Sequence, residues 1–90
     1  MTSTRWALVT GATAGIGESF TRLLAAKGYN VALVARDEAR LHERAGALRE
    51  KYGVQTFVLP ADLATEAGCK AVEDYISTYP IEVLINNAGF

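Results

Sequence analysis

Four short apolar runs alternate with three longer segments in which apolar residues recur at helical spacing. The runs cover residues 6–10, 31–35, 56–59 and 83–85, and none of them alternates polar with apolar. Strands that read apolar throughout suit a parallel sheet covered by helices on both faces. Between the runs, residues 15–27 place Ile16, Phe20, Leu23 and Leu24 on one side of a helix, with Gly28 as a stop. Residues 37–52 repeat Leu41, Ala45, Leu48 and Tyr52 behind Asp37, a natural N-cap, and Gly53 closes them. Residues 65–79 group Val72, Tyr75, Ile76 and Tyr79 ahead of Pro80. The order β-α-β-α-β-α-β predicts right-handed crossovers and an α/β, doubly wound parallel sheet.

Composition narrows the functions open to such a layer. The chain has 90 residues, 50% hydrophobic and 21% charged, with a formal charge of −1. That length suits one small domain, and the near-neutral balance lacks the basic footprint that nucleic acid requires. One cysteine, Cys69, gives neither a disulfide framework nor a cysteine zinc cluster. It fits a reducing compartment, and a cytoplasmic location is expected. No apolar run approaches the roughly 18–20 residues of a membrane span, and no signal-peptide core precedes the first strand.

The candidate chemistry sits just after the first strand, in Thr10-Gly11-Ala12-Thr13-Ala14-Gly15-Ile16-Gly17. Gly11 allows a sharp exit from the strand, Gly15 removes a β-carbon where a pyrophosphate would approach, and Gly17 permits close helix packing. The helix starting here turns its free N–H groups and positive dipole end toward an anion in the turn. The Thr13 hydroxyl is a further donor. Glycines required only for the geometry of the turn are the competing reading.

The spacing T-G-x-x-x-G-x-G resembles that of the short-chain dehydrogenase/reductase family. Asn86-Asn87-Ala88-Gly89 after the fourth strand and Asp62-Leu63 after the third agree with it, so the resemblance spans essentially the whole chain. It implies a Rossmann-type sheet in the order 3-2-1-4 and a nicotinamide dinucleotide cofactor. Cofactor contacts are expected from Gly11, Thr13, Gly15, Ile16, Gly17, Arg36, Asp62, Leu63, Asn86, Ala88 and Gly89. Asp62 alternatively ends its strand or caps the third helix, and Asn86 and Asn87 also tie the loops together by hydrogen bonds.

The second strand runs out in Val34-Ala35-Arg36-Asp37. An acidic residue at that end accepts from ribose hydroxyls and repels a 2′-phosphate, whereas arginine pairs with that phosphate. Ala35 stands where NAD-preferring members of the family often carry Asp, and Arg36 follows it as in many NADP-preferring members. Together these favour NADP(H). In the alternative, Arg36 pairs with Asp37 or is solvated, and Asp37 contacts the ribose of NAD.

Reduction of a carbonyl by hydride needs a proton donor beside the developing alkoxide. The family uses a Tyr-x-x-x-Lys pair and an upstream Ser, and no tyrosine here has lysine four residues later. No catalytic residue and no metal ligand is therefore assigned. His42 reads as a surface residue, Cys69 as a packing or partly exposed thiol, Trp6 as sheet packing, and Glu18 as a dipole-favouring residue in the first turn. The reading is the cofactor-binding fragment of a reductase or dehydrogenase acting on a carbonyl and a secondary alcohol, inactive alone. A non-catalytic NADP(H)-sensing module is the alternative.

Leu-x-x-Arg-Ala in the second helix and Val-Ala-Arg before it resemble the branch containing ketoacyl, steroid and small hydroxy-compound reductases. The chain is expected to be a truncated domain whose fourth strand is an exposed apolar edge. Self-association follows from that expectation. The 90-residue chain should sediment as a dimer through strand four or the adjacent helix faces, and a monomer at high concentration would count against it.

Overall fold

The structure is a computed structural model and describes residues 4–87. Its elements run β1 (Trp6–Thr10), α1 (Gly15–Ala26), β2 (Asn30–Ala35), α2 (Glu38–Tyr52), β3 (Thr56–Pro60), α3 (Glu66–Thr78) and β4 (Ile81–Asn86). The strands form one sheet in the order β3-β2-β1-β4, every pairing parallel. This is the doubly wound α/β order expected from the sequence.

The period-2 geometry of a strand divides the core between two faces. Ala7, Val9, Val31 and Leu33 point to one side, where they meet Leu24 and Ala25 of α1 and Leu41, Ala45 and Leu48 of α2. Leu8, Ala32 and Val34 point to the other, against Val72 and Tyr75 of α3. The central strands β1 and β2 are thus buried on both faces, which is why they carry no polar alternation.

β3 departs from the continuous burial expected of an apolar run, while β4 is an exposed outer strand among the described residues, as expected of it. Exposed positions interrupt β3 and alternate along β4, and Leu84 is 52% exposed. Each has a hydrogen-bonded neighbour on one side only among the described residues. The β1–β4 pairing also slips by one residue, Trp6 lying opposite Ile81 and Ala7 opposite Val83.

The apolar stripe expected on α1 is corrected as well. Ile16 and Leu23 are 67% and 51% exposed, and the buried residues are Gly17, Thr21, Leu24 and Ala25. The helix lies close to the sheet, and close approach selects small side chains over large ones. Asp37 caps α2, its carboxylate accepting from the Arg40 N–H at 3.2 Å. α3 is capped by Thr65, which accepts from the Gly68 N–H at 3.0 Å, so Asp62 does not serve as its cap. Among the described residues no helix is long and apolar enough to cross a membrane.

Phe57 of β3 stacks on Tyr75 at 4.7 Å between ring centroids, and Tyr75 meets Tyr79 at 4.6 Å. Burial pushes the Tyr75 phenol above its ordinary value, and Tyr79 adds to the rise. The folded chain therefore holds that proton more tightly than the unfolded one. Its contribution to stability is complete below the unfolded pKa of about 10 and is lost as pH rises through the folded value. Tyr75→Phe keeps the ring and removes the titration. Urea unfolding at about pH 9 and about pH 11 should show a smaller loss of stability for the variant than for the unaltered chain.

Candidate functional site

The carboxyl ends of parallel strands are where an α/β sheet opens a crevice. Here the last carbonyls of β2 organise two walls of it. The Ala12 N–H donates to the Val34 carbonyl at 3.2 Å, fixing the turn after β1. The Ala61 N–H donates to the Ala35 carbonyl at 2.9 Å, fixing the segment after β3. Between these walls lies a cleft of about 600 Å³, within the range of small-ligand sites. Of the residues expected to contact a cofactor, Gly11, Thr13, Arg36, Asp62 and Leu63 line it, joined by Arg40, which the sequence reading left out.

The glycine-rich turn is shaped by backbone requirements at two positions. Gly11 and Gly15 have φ of 63° and 58°, in the left-handed region that disfavours residues with a β-carbon. Within the chain a β-carbon added at Gly15 would have nothing within 4 Å, so the backbone conformation, not a neighbouring protein group, calls for glycine there. α1 then starts behind Ala14, whose side chain provides no cap, leaving the first N–H groups of the helix to another acceptor.

Gly17 is different. It is buried, and a β-carbon there would collide with the Gly11 carbonyl oxygen and approach Asn87 Nδ2 to 2.8 Å. Its part is the close packing of α1 beneath the turn. Ile16 points outward on the first turn of α1 and, like Gly15, Gly17 and Asn86, does not line the cleft.

Asn86 and Asn87 lie beside the end of β1, outside the cleft lining. Thr10 Oγ1 lies 3.2 Å from Asn86 Oδ1 and accepts from the Asn87 N–H at 2.9 Å, tying the end of β4 to the start of the turn. This is the loop-bridging role expected for the two asparagines. Ala88 and Gly89 lie outside the described residues.

At the far end of the cleft, the Asp37 carboxylate is taken up by the cap of α2. Arg36 is exposed, and among the described residues no ion pair engages it. The alternative pairing of Arg36 with Asp37 is therefore absent. Across the cleft, Asp62 accepts from the Ala64 N–H at 2.9 Å, and its carbonyl accepts from the Thr65 hydroxyl at 2.8 Å.

Sequence reasoning missed two supports. Gly68 of α3 is buried against Asp62, and a β-carbon there would overlap the Asp62 carbonyl. This repeats on the second wall what Gly17 does on the first. Arg44 of α2 donates through Nε to the Thr13 carbonyl at 3.2 Å and lies 3.4 Å from Glu18 Oε2. Glu18, read from sequence as a helix-dipole residue, also pairs with Arg22 at 2.9 Å. The expected surface and packing residues behave simply: His42 is exposed beside Glu38 at 3.5 Å, Cys69 is an exposed free thiol, and Trp6 packs against the α3-side core.

A family model described as short chain dehydrogenase matches residues 5–90. The chain belongs to the short-chain dehydrogenase family. It is 45% identical over 87 residues to a very-long-chain 3-oxoacyl-CoA reductase of Scheffersomyces stipitis, covering 94% of this chain and 25% of that protein. A short-chain dehydrogenase of Sphingobium yanoikuyae solved with NADPH is 41% identical, with a TM-score of 0.91, over 96% of this chain and 34% of that one. L-sorbose reductase of Gluconobacter frateurii, solved with NADPH and L-sorbose, is 37% identical, with a TM-score of 0.88, over 99% of this chain and 35% of that one. The chain thus spans about a quarter of the curated relative from Scheffersomyces and about a third of these solved short-chain dehydrogenases.

Gly68 makes the packing of the second cleft wall testable. Gly68→Ala should cost about 1–3 kcal/mol through overpacking against the Asp62 backbone. Gly46→Ala, in the interior of α2, places its β-carbon no closer than 3.7 Å to the Arg49 side chain. That control should be neutral or stabilising by up to about 1 kcal/mol. Thermal unfolding of the two variants would separate these outcomes.

Proposed function

We propose that this chain forms the dinucleotide-binding part of an NADP(H)-dependent oxidoreductase that interconverts a carbonyl and a secondary alcohol. The observation carrying the cofactor choice is Arg36, exposed at the end of β2 with no ion pair among the described residues and lining the same cleft as the glycine-rich turn. A guanidinium there suits a 2′-phosphate by charge and by paired hydrogen bonds, and the one adjacent carboxylate is held by its own helix.

The residues present fit a dinucleotide along the cleft. The turn at Gly11, Thr13 and Ala14, with the uncapped start of α1, would hold the pyrophosphate. Arg36, with Arg40 nearby, would hold the ribose phosphate, and Asp62 and Leu63 would border the adenine. Asn86 would keep the end of β4 aligned with β1 toward the nicotinamide end. The bound nicotinamide would supply or accept the hydride. The chain's own contribution is to bind and orient the dinucleotide, and no proton-transfer residue is assigned to it.

The relatives named as 3-oxoacyl-CoA and L-sorbose reductases support a carbonyl substrate for the whole protein. The cytoplasmic location expected from the single cysteine, and assembly into a homo-oligomer, belong to the same proposal.

Arg36→Asp tests the cofactor assignment. Removing a charge-assisted contact and adding a repulsive carboxylate should weaken NADPH binding by about 10- to 100-fold, with NADH binding preserved or improved. Calorimetric titration of both nucleotides reads the ratio directly. An unchanged NADPH-to-NADH ratio would overturn the assignment.

A further inference from the structure

Arg40 and Arg44 are four residues apart and so share a face of α2. Arg40 lines the cleft, while Arg44 reaches across to α1 and the glycine-rich turn. Its Nε donates to the Thr13 carbonyl at 3.2 Å and lies 3.4 Å from Glu18 Oε2, and its Nη1 is 3.8 Å from Glu43 Oε1. The Arg44 and Glu18 side chains are partly shielded, at 30% and 22% exposure, so their attraction is screened less than that of a surface pair.

Two consequences follow from elementary geometry and charge. The Thr13–Ala14 peptide is trans and planar, so its C=O and N–H point in opposite directions. An arginine holding the Thr13 carbonyl on one side thereby sets the direction of the Ala14 N–H. Thr13 and Ala14 both line the cleft, and the turn around them has two glycines with positive φ and little intrinsic stiffness. The second consequence is electrostatic. Glu18 places a carboxylate in the first turn of α1, the helix end that would receive a phosphate, where an unneutralised negative charge would oppose binding. Arg22 and Arg44 flank that carboxylate.

We propose that Arg44 is a positioning residue for the pyrophosphate turn, fixing the Thr13–Ala14 peptide and neutralising Glu18 from across the helix pair. The proposal rests on the cofactor-binding reading above. It requires the planar guanidinium, because one group must serve a carbonyl and a carboxylate together, and an ammonium on a flexible stem satisfies both less well.

The test compares two probes on the intact protein. NADPH spans the pyrophosphate turn, whereas adenosine 2′-monophosphate carries the adenine, its ribose and the 2′-phosphate but no pyrophosphate. Calorimetry of Arg44→Gln should show NADPH binding weakened about tenfold, a step of about 1.4 kcal/mol, with adenosine 2′-monophosphate binding unchanged. The double variant Glu18→Gln/Arg44→Gln should recover part of that loss, because the opposing carboxylate is gone. Should Arg44→Gln fail to fold, Arg44→Lys carries the test and should show a smaller loss confined to NADPH. Unchanged NADPH affinity, or equal loss of both probes with a lower melting temperature, would overturn the proposal. Failure of the unaltered protein to bind NADPH would instead overturn the cofactor-binding reading.

Discussion

The Gly11 carbonyl oxygen occupies the space a β-carbon at position 17 would fill, and much of the site depends on that contact. It lets the first turn of α1 pass beneath the end of β1, so the turn between them stays short and its N–H groups remain near the sheet. Asn87, just after β4, packs over the same glycine, and the Thr10 hydroxyl links the two strand ends. One missing side chain thus brings together the turn, the helix start and the end of β4. Gly68 against Asp62 repeats the device on the opposite wall, so both sides of the cleft are set by a helix pressed onto a loop backbone.

α2 connects these walls in a different way. Its N-terminal end carries Asp37 and Arg40 at the cleft, and Arg44 contacts the glycine-rich turn from farther along the same helix. Packing of Leu41, Ala45 and Leu48 on the sheet fixes the rotation of the helix and hence the direction of its arginines. The apolar stripe that stabilises α2 also aims its polar side chains.

Much of the fold was legible because local and global signals agreed. Asp37 caps α2 where its chemistry favours a cap, and the central strands are apolar because both faces are covered, whereas the cap of α3 is Thr65 and not Asp62. The buried face of α1 was misread because its contact residues are small. Gly17, Thr21 and Ala25 contribute little to a hydrophobic pattern, whereas Ile16 and Leu23 dominate it from the exposed side. Of the cleft lining, Gly11 and Thr13 were legible in the glycine-rich motif, Arg36 in the end of the second strand, and Asp62 and Leu63 through the family resemblance. Gly68 and Arg44 were not, since each acts through a contact with a backbone carbonyl of another segment, and no spacing along one element encodes such a contact.

The slip between β1 and β4 acts as a ruler for the sheet. Glu82 is the additional residue, falling between the partners of Trp6 and Ala7. Continued without it, the pairing from Trp6 and Ile81 would bring Ile85 opposite Thr10. With it, Asn86 takes that place, and its side-chain amide comes to the Thr10 hydroxyl. An irregularity at the amino end of the strands thereby decides which side chain is presented at their carboxyl end, where the cleft opens.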